Sequence, residues 1–315
     1  MLGRAAQGVF WMSRYLERAE NTTRLLNVGL RIALTRGAEL TRENEWRSVL
    51  VTTGQDAAYR AQFDEYESTQ VVNFILREKT NPASVLNIIE TARNNARMVR
   101  TSITSEVWES TNECWMQISD ALSRPVRHSN LGEVLKLIWR LSTQVRGSID
   151  GTMLRNEVFN FARIGTFIER ADNTARILDV KYYVLLPSAA WVGSALDNAQ
   201  WDTLLRSAAG DRAYRWLSKG EMDARGIAQF LILDGRFPRS LIFSYDKIMS
   251  NLGGLSREYG EETAVQQMVR NICAKLHQET IEGVFEIGLH QFLTDFIRET
   301  IDVGAAIAAE YRFVE

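Results

Sequence analysis

Apolar residues recur along this chain at spacings of three and four rather than two, the pattern of helices that turn one face inward. The first run predicts a helix from about Ala5 to about Leu34, with Trp11, Tyr15, Thr22, Leu26 and Gly29 on one face and Gly37 closing it. Shorter helices are predicted around Glu43 to Val51, from Asp56 as N-cap, and from Ser68 to Arg77, where Val71, Val72, Phe74 and Ile75 form the apolar face. Asn81-Pro82 reads as a helix start, Pro occupying the first helical position, where its missing N–H is no loss. That helix continues through Ile88, Ile89 and Ala92 towards Val99. Helices over Ser105 to Leu122 and Leu131 to Ile149 follow, separated by Arg124-Pro125 and a loop. Gly147 and Asp150-Gly151 predict a break or a kink, after which Met153 opens a second long helix that stops at Leu186-Pro187. A Trp201 helix, an Asp211 helix, one from Asp223 to Leu233, one opened by Phe237-Pro238 and two C-terminal helices complete the chain. Gly253-Gly254 and Gly260 mark the loop before those last two. The fold class is all-α.

The pattern also repeats. YLERAENTTRLLNV, Tyr15 to Val28, returns as FIERADNTARILDV, Phe167 to Val180. At an offset of 152 the two stretches share Glu17/Glu169, Arg18/Arg170, Ala19/Ala171, Asn21/Asn173, Thr22/Thr174, Arg24/Arg176, Leu26/Leu178 and Val28/Val180. Trp46 and Leu50 answer Trp201 and Leu205, and the string from Asp56 to Arg60 answers Asp211 to Arg215, both at offset 155. Phe74, Pro82 and Ser84 answer Phe230, Pro238 and Ser240 at offset 156. A period of half the chain implies an internal duplication. The expected architecture is a single pseudo-two-fold helical bundle over residues 1–315, with halves of roughly 1–150 and 151–315.

Composition narrows the function classes. A hydrophobic content of 45% with 24% charged residues suits a globular chain that buries a large core. A net charge of −2 removes the basic footprint of a dedicated nucleic-acid binder. Cys114 and Cys273 stand outside any CxxC pattern, which points to a reducing, cytoplasmic setting. No apolar run has the length of a signal peptide or a membrane span, so no membrane partner is expected. Motifs for nucleotide binding, zinc hydrolysis or a serine nucleophile elbow are absent, and neither a cofactor nor a metal is implied.

The repeated polar residues are the candidate chemistry. Glu17, Asn21 and Arg24 fall on one helical face, as do Glu169, Asn173 and Arg176. Because both copies also keep apolar residues on the opposite face, each long helix should be covered on more than one side. One reading is a buried ion-pair network in which Glu17 and Arg18 meet Arg170 and Glu169. Another is a polar cavity with Glu17 and Glu169 as catalytic carboxylates and Arg18, Arg24, Arg170 and Arg176 as clamps for a carboxylate or other anion, beside Asn21 and Asn173. A third is a solvated face. Arg97, Arg100 and Glu106, in the segment Asn95 to Asn112 with Trp108 and Glu109, either line a cleft or belong to a packed amphipathic helix. Cys273 and His277, four apart, could form a thiolate–imidazole pair or half a metal site, but no third ligand is in view. His128 reads as a loop residue and His290 as a helix-face one.

The ERAENT and ERADNT strings, with NARMVRTSITSEVWESTN from Asn95, DGTMLRNEVFNFARIGTFIERADNTARILDVKYY from Asp150 and FLILDGRFPRS from Phe230, resemble the alpha-E family over nearly the whole chain. These are helical bacterial proteins named for a Glu-Arg motif. Phe159 departs from the pattern, in which Trp is the commoner residue. The resemblance implies a helical component that works beside a circularly permuted ATP-grasp ligase, often with a transglutaminase-like peptidase, in making or modifying a peptide-like amide. Three roles follow from it: an accessory that binds the ligase or its peptide-like substrate, an enzyme acting on the ligase product through the Glu/Arg cluster, or a scaffold.

Overall fold

The computed structural model describes residues 3–35, 42–184, 195–218 and 223–313, and these residues form fifteen α-helices and no strand. They group into two compact units, Met1–Gly165 and Thr166–Glu315. The first holds α1 (Gly3–Thr35), α2 (Arg42–Thr52), α3 (Asp56–Arg60), α4 (Ser68–Arg77), α5 (Val85–Met98), α6 (Ser105–Ala121), α7 (His128–Thr152) and the opening turns of α8 (Glu157–Val184). The second holds the remainder of α8, then α9 (Ala195–Ser207), α10 (Asp211–Leu217), α11 (Ala224–Leu233), α12 (Leu241–Tyr259), α13 (Ala264–Gln278), α14 (Ile281–Ile287) and α15 (Leu289–Glu310).

In the first unit α1 packs against α2, α5 and α7, and this explains why both apolar and polar faces of it are buried. Val9, Phe10, Met12, Leu16, Ala19 and Leu26 are buried on one set of faces and Ser13, Glu17, Glu20, Asn21 and Thr23 on the others. Gly8 permits the close approach of α5, because a Cβ there would stand 2.5 Å from Val99 Cγ1. A second aromatic nucleus sits under α3 and α4, where Tyr59 meets Phe63, Tyr66 and Phe74 at centroid distances of 4.9, 5.5 and 5.2 Å.

The second unit places chemically matching residues in comparable roles. Trp201, Leu205, Tyr214 and Phe230 are buried, as are Trp46, Leu50, Tyr59 and Phe74. Ser84 and Ser240 each cap the helix that follows, accepting from Asn87 N at 3.4 Å and Phe243 N at 3.1 Å. Along α12, α13 and α15 the apolar stripe runs through Tyr245, Ile248, Leu252, Val269, Leu276, Phe296 and Val303, all buried.

Several boundaries differ from the sequence expectation, each for a local reason. Asn81-Pro82 does not open a helix. Asn81 Oδ1 accepts from Ala83 N and its carbonyl from Ser84 N, both at 3.0 Å, so 81–84 is a turn and Ser84 becomes the cap. Phe237-Pro238 behaves alike, with Ser240 N donating to Phe237 O and Ser240 capping α12. Asp56 is the first helical residue, preceded by Gln55 at the N-cap. Gly147 and Gly151 do not break α7, which runs to Thr152, because Val145 and Ile149 are buried on its inner face. An exposed helical glycine costs only about 1 kcal/mol against that burial. The break falls after Met153, and α8 begins at Glu157. Gly253-Gly254 likewise lies inside α12, which ends at Gly260 with φ +77°, a left-handed cap that glycine adopts without strain. Three helices follow it rather than two. The proposed stops at Gly37 and Leu186-Pro187 lie outside the described residues.

Candidate functional site

The repeated motif lies on α1 and α8, and both copies fold inward. On α1, Ser13, Glu17, Glu20 and Arg24 follow one another at helical spacing on a single face. On α7, Trp139, Ser142, Thr143 and Arg146 do the same, and the two helices pack together. Across this seam Arg146 Nη1 reaches Glu17 Oε2 at 3.2 Å and also bonds Glu20 Oε2. Glu20 Oε1 accepts from Arg24 Nε at 3.0 Å and Nη2 at 2.8 Å. Arg24 lies over the Trp139 ring at 5.4 Å, and Arg146 Nη2 donates to Thr143 Oγ1 at 3.1 Å.

Glu17 and Glu20 are 1% and 0% exposed, whereas Arg24 and Arg146 are each 19% exposed. The four side chains carry two charges of each sign, the condition under which carboxylates tolerate burial. Burial alone would make the Arg146 guanidinium release its proton more readily. The charges of Glu17 and Glu20, and their hydrogen bonds, outweigh that and hold it above its ordinary range. Sequence reasoning singled out Glu17 and Arg24 but missed Glu20 and Arg146. Glu20 left a faint signal, since its counterpart Asp172 keeps the acid and changes the residue. Arg146 comes from α7 and has no repeated counterpart, so only the polar stripe Trp139, Thr143, Arg146 could have marked it.

On α8 the motif is turned to a different neighbour. Arg176 holds Asp172 through Nε to Oδ2 at 2.8 Å and Nη2 to Oδ1 at 3.1 Å, an intrahelical pair like that of Arg24 and Glu20. Arg170 Nη1 donates to Pro238 O at 3.1 Å, and Thr174 Oγ1 to Arg239 O at 2.8 Å. The motif thus grips the backbone between α11 and α12. Glu169 is buried and Asn173 half-buried. Further along α8, Asp179 Oδ1 lies 2.5 Å from His290 Nδ1 of α15.

Arg18 is half-buried, with its guanidinium 5.8 Å from the Tyr15 ring, and Asn21 is buried. Arg97, Arg100 and Glu106 are exposed where α5 ends and α6 begins, Arg100 lying 5.4 Å over Trp108. This surface is a packed helix pair whose Arg93 sits 4.2 Å over Trp115 and donates to Asn112 Oδ1 at 2.7 Å. Cys273 and His277 make no reactive pair. Burial first, and then Asp246, push the Cys273 thiol up to about 12, while His277 Nε2 meets Asp246 Oδ1 at 2.8 Å. Burial and Glu113 push the Cys114 thiol to the same value. Among the described residues no cluster of three His, Cys, Asp or Glu could hold a metal, and no helix is long and apolar enough to cross a membrane.

Comparison with known proteins agrees with the motif. An uncharacterized protein of Mycobacterium bovis is 25% identical over 321 residues, and one of Mycobacterium tuberculosis strain H37Rv is 24% identical over the same length. Each alignment covers 93% of this chain, which spans 35% of the length of either relative. No solved structure matches the chain significantly. A family model described as "a predicted alpha-helical domain with a conserved ER motif" matches residues 1–311, so the chain belongs to the Alpha-E family.

Proposed function

We propose that this chain is an accessory helical module of an ATP-grasp amidoligase system, binding the ligase or its peptide-like substrate while its Glu-Arg motif serves the fold. The burial of Glu17 and Glu20 against Arg146 carries the second half of this reading. Carboxylates with 1% and 0% exposure, already paired with guanidinium groups, have no free face for a substrate. The first half rests on the family resemblance. It is supported by the relatives, in which the matching region is about a third of a longer chain, as expected of a module that works with other domains. ATP chemistry would then lie with the ligase, and any hydrolysis with a transglutaminase-like peptidase.

We also infer that the two units descend from one ancestral unit. The repeated strings, the paired burial of Trp46 with Trp201 and Tyr59 with Tyr214, and the paired caps Ser84 and Ser240 support this. Two free, buried cysteines fit a cytoplasmic setting. The exposed Arg97, Arg100 and Glu106 are the sequence-nominated residues best placed to meet a partner.

A second reading, in which Glu17 and Glu169 are catalytic, draws on one observation. Ser13 Oγ, Ser142 Oγ and Trp139 Nε1 are buried without hydrogen-bond partners, and such groups commonly mark bound water or ligand. Reconstitution separates the two. The chain is mixed with the ATP-grasp protein of the same organism, and complex formation and amide product are measured for the native chain, Glu17→Gln and Arg97→Ala/Arg100→Ala. The accessory reading expects Glu17→Gln to support product formation below its unfolding temperature and the arginine pair variant to lose complex. Product lost with Glu17→Gln while the fold stays intact would favour the enzyme. No complex, and product unchanged when the chain is omitted, would overturn the ligase connection.

A further inference from the structure

Helices α5 and α6 of the first unit pack against each other, and the edges they turn together carry different chemistry. Along α5, Arg93 and Arg97 fall on one face, and Arg100 follows in the turn that closes the helix. Along α6, Trp108, Asn112 and Trp115 recur at the same spacing. The two rows meet in antiparallel register. Arg100 lies 5.4 Å over Trp108, and Arg93 lies 4.2 Å over Trp115 while its Nε donates to Asn112 Oδ1 at 2.7 Å. Each tryptophan thus seats a guanidinium.

What these arginines lack is an acid. On other helices an arginine takes a carboxylate from its own face, Arg206 from Asp202 and Arg298 from Asp295. Among the described residues, Arg93, Arg97 and Arg100 have no carboxylate within ion-pair distance. The side chains of Arg97 and Arg100, both exposed, meet no acceptor among them. The acids of α6 face the other way. Glu106 and Glu113 fall on the side of α6 opposite Trp108 and Trp115, and Glu113 Oε2 accepts from Gln144 of α7 at 3.4 Å. The α5–α6 seam is therefore a strip of unpaired positive charge on a chain whose net charge is −2.

We propose that this strip binds a short acidic peptide segment whose carboxylates pair with Arg93, Arg97 and Arg100. A guanidinium presents a planar fork of donors that fits a carboxylate, and one already seated on a ring loses less freedom on binding. Arg93 and Arg100 are separated by on the order of 10 Å along the helix axis, a span that glutamates at i and i+3 of an extended peptide match. A nucleic acid suits the strip less. Its bases would need open rings, whereas Trp108 and Trp115 are half-buried and already carry arginines. Its phosphates would run on to Glu90, exposed one turn before Arg93. The inference rests on the accessory reading, for which it supplies the chemistry of the partner.

The test uses the full chain and no ligase. Fluorescence anisotropy follows a labelled, blocked peptide containing Glu-Ala-Ala-Glu, with its Gln-Ala-Ala-Gln analogue and a single-stranded oligonucleotide as comparisons. The glutamate peptide should bind at least about tenfold more tightly than the glutamine one, and its affinity should fall as salt rises. Arg97→Gln/Arg100→Gln should lose about tenfold in affinity. Both side chains are exposed, so this variant should keep the native urea midpoint. Arg4→Gln/Arg124→Gln, which removes the same charge from exposed positions of the same unit, should bind as the native chain does. The proposal is overturned if neither peptide binds, if the glutamine peptide binds equally, if the oligonucleotide binds more tightly than the glutamate peptide, or if the control pair loses as much as Arg97→Gln/Arg100→Gln. Complex formation with the ligase is a separate measurement: peptide binding without a ligase complex would overturn the ligase connection and leave the peptide site standing.

Discussion

The Glu-Arg stretch of α1 and that of α8 share eight identical positions, yet they hold different things. Both keep an acid and an arginine one turn apart, Glu20 with Arg24 and Asp172 with Arg176. Both bury the motif glutamate. On α1 the outward reach is by charge, since Glu17 and Glu20 draw in Arg146 from α7. On α8 the reach includes neutral acceptors, since Arg170 and Thr174 hold the carbonyls of Pro238 and Arg239. One helical face can thus serve as an anchor for whatever packs beside it. Identity of residues in a repeat fixes the face that is buried and leaves the partner to the neighbouring element.

The largest expected effect breaks the charged side of this comparison. Arg146→Met should cost about 3–5 kcal/mol, because it leaves Glu17 and Glu20 buried without the cation they share, and a urea titration measures it. Thr174→Val tests the neutral side. It removes the donor to a buried carbonyl while keeping shape, and a loss of about 1–3 kcal/mol is expected by the same titration. An equal loss for the two variants would erase the distinction between the two anchors.

The smallest effect appears only in alkali, and it should be common to both units. Cys114 and Cys273 have thiols raised by burial to about 12 from an ordinary value of 9.0. Folding therefore favours the neutral thiol. Its contribution is complete below about pH 9 and is lost as the pH rises towards 12. Stability measured across that interval should fall, and Cys114→Ala or Cys273→Ala should each flatten the fall. A profile unchanged by either substitution would mean that the thiols ionise without opening the fold.

What could be read from the chain follows how local its cause is. The span of α4 is legible to the residue because Ser68 to Arg77 carries its own apolar face and Glu67 caps it. The all-α class follows from periodicity alone. Burial of the Glu-Arg face was legible because the repeat holds polar residues that a solvated helix has no need to keep. The glycines misled, since a helix tolerates Gly147 or Gly253 when its inner face is well packed. Pro82 and Pro238 misled as well, because the serine two residues beyond each outcompetes it as a start. The pairing of Arg146 was illegible, because an ion pair between residues more than a hundred positions apart leaves no spacing to read, and only the polar stripe on α7 marked the residue itself.

The claim on which the account turns is that the α1 motif is a buried ion-pair network belonging to the fold. Its most direct test sets Arg146→Met beside the triple variant Arg146→Met/Glu17→Gln/Glu20→Gln in urea. If the network belongs to the fold, neutralising both carboxylates removes the charge that Arg146 balanced, and the triple variant should recover most of the stability that the single substitution loses. A single substitution that leaves the midpoint where it was, or a triple variant less stable still, would contradict it.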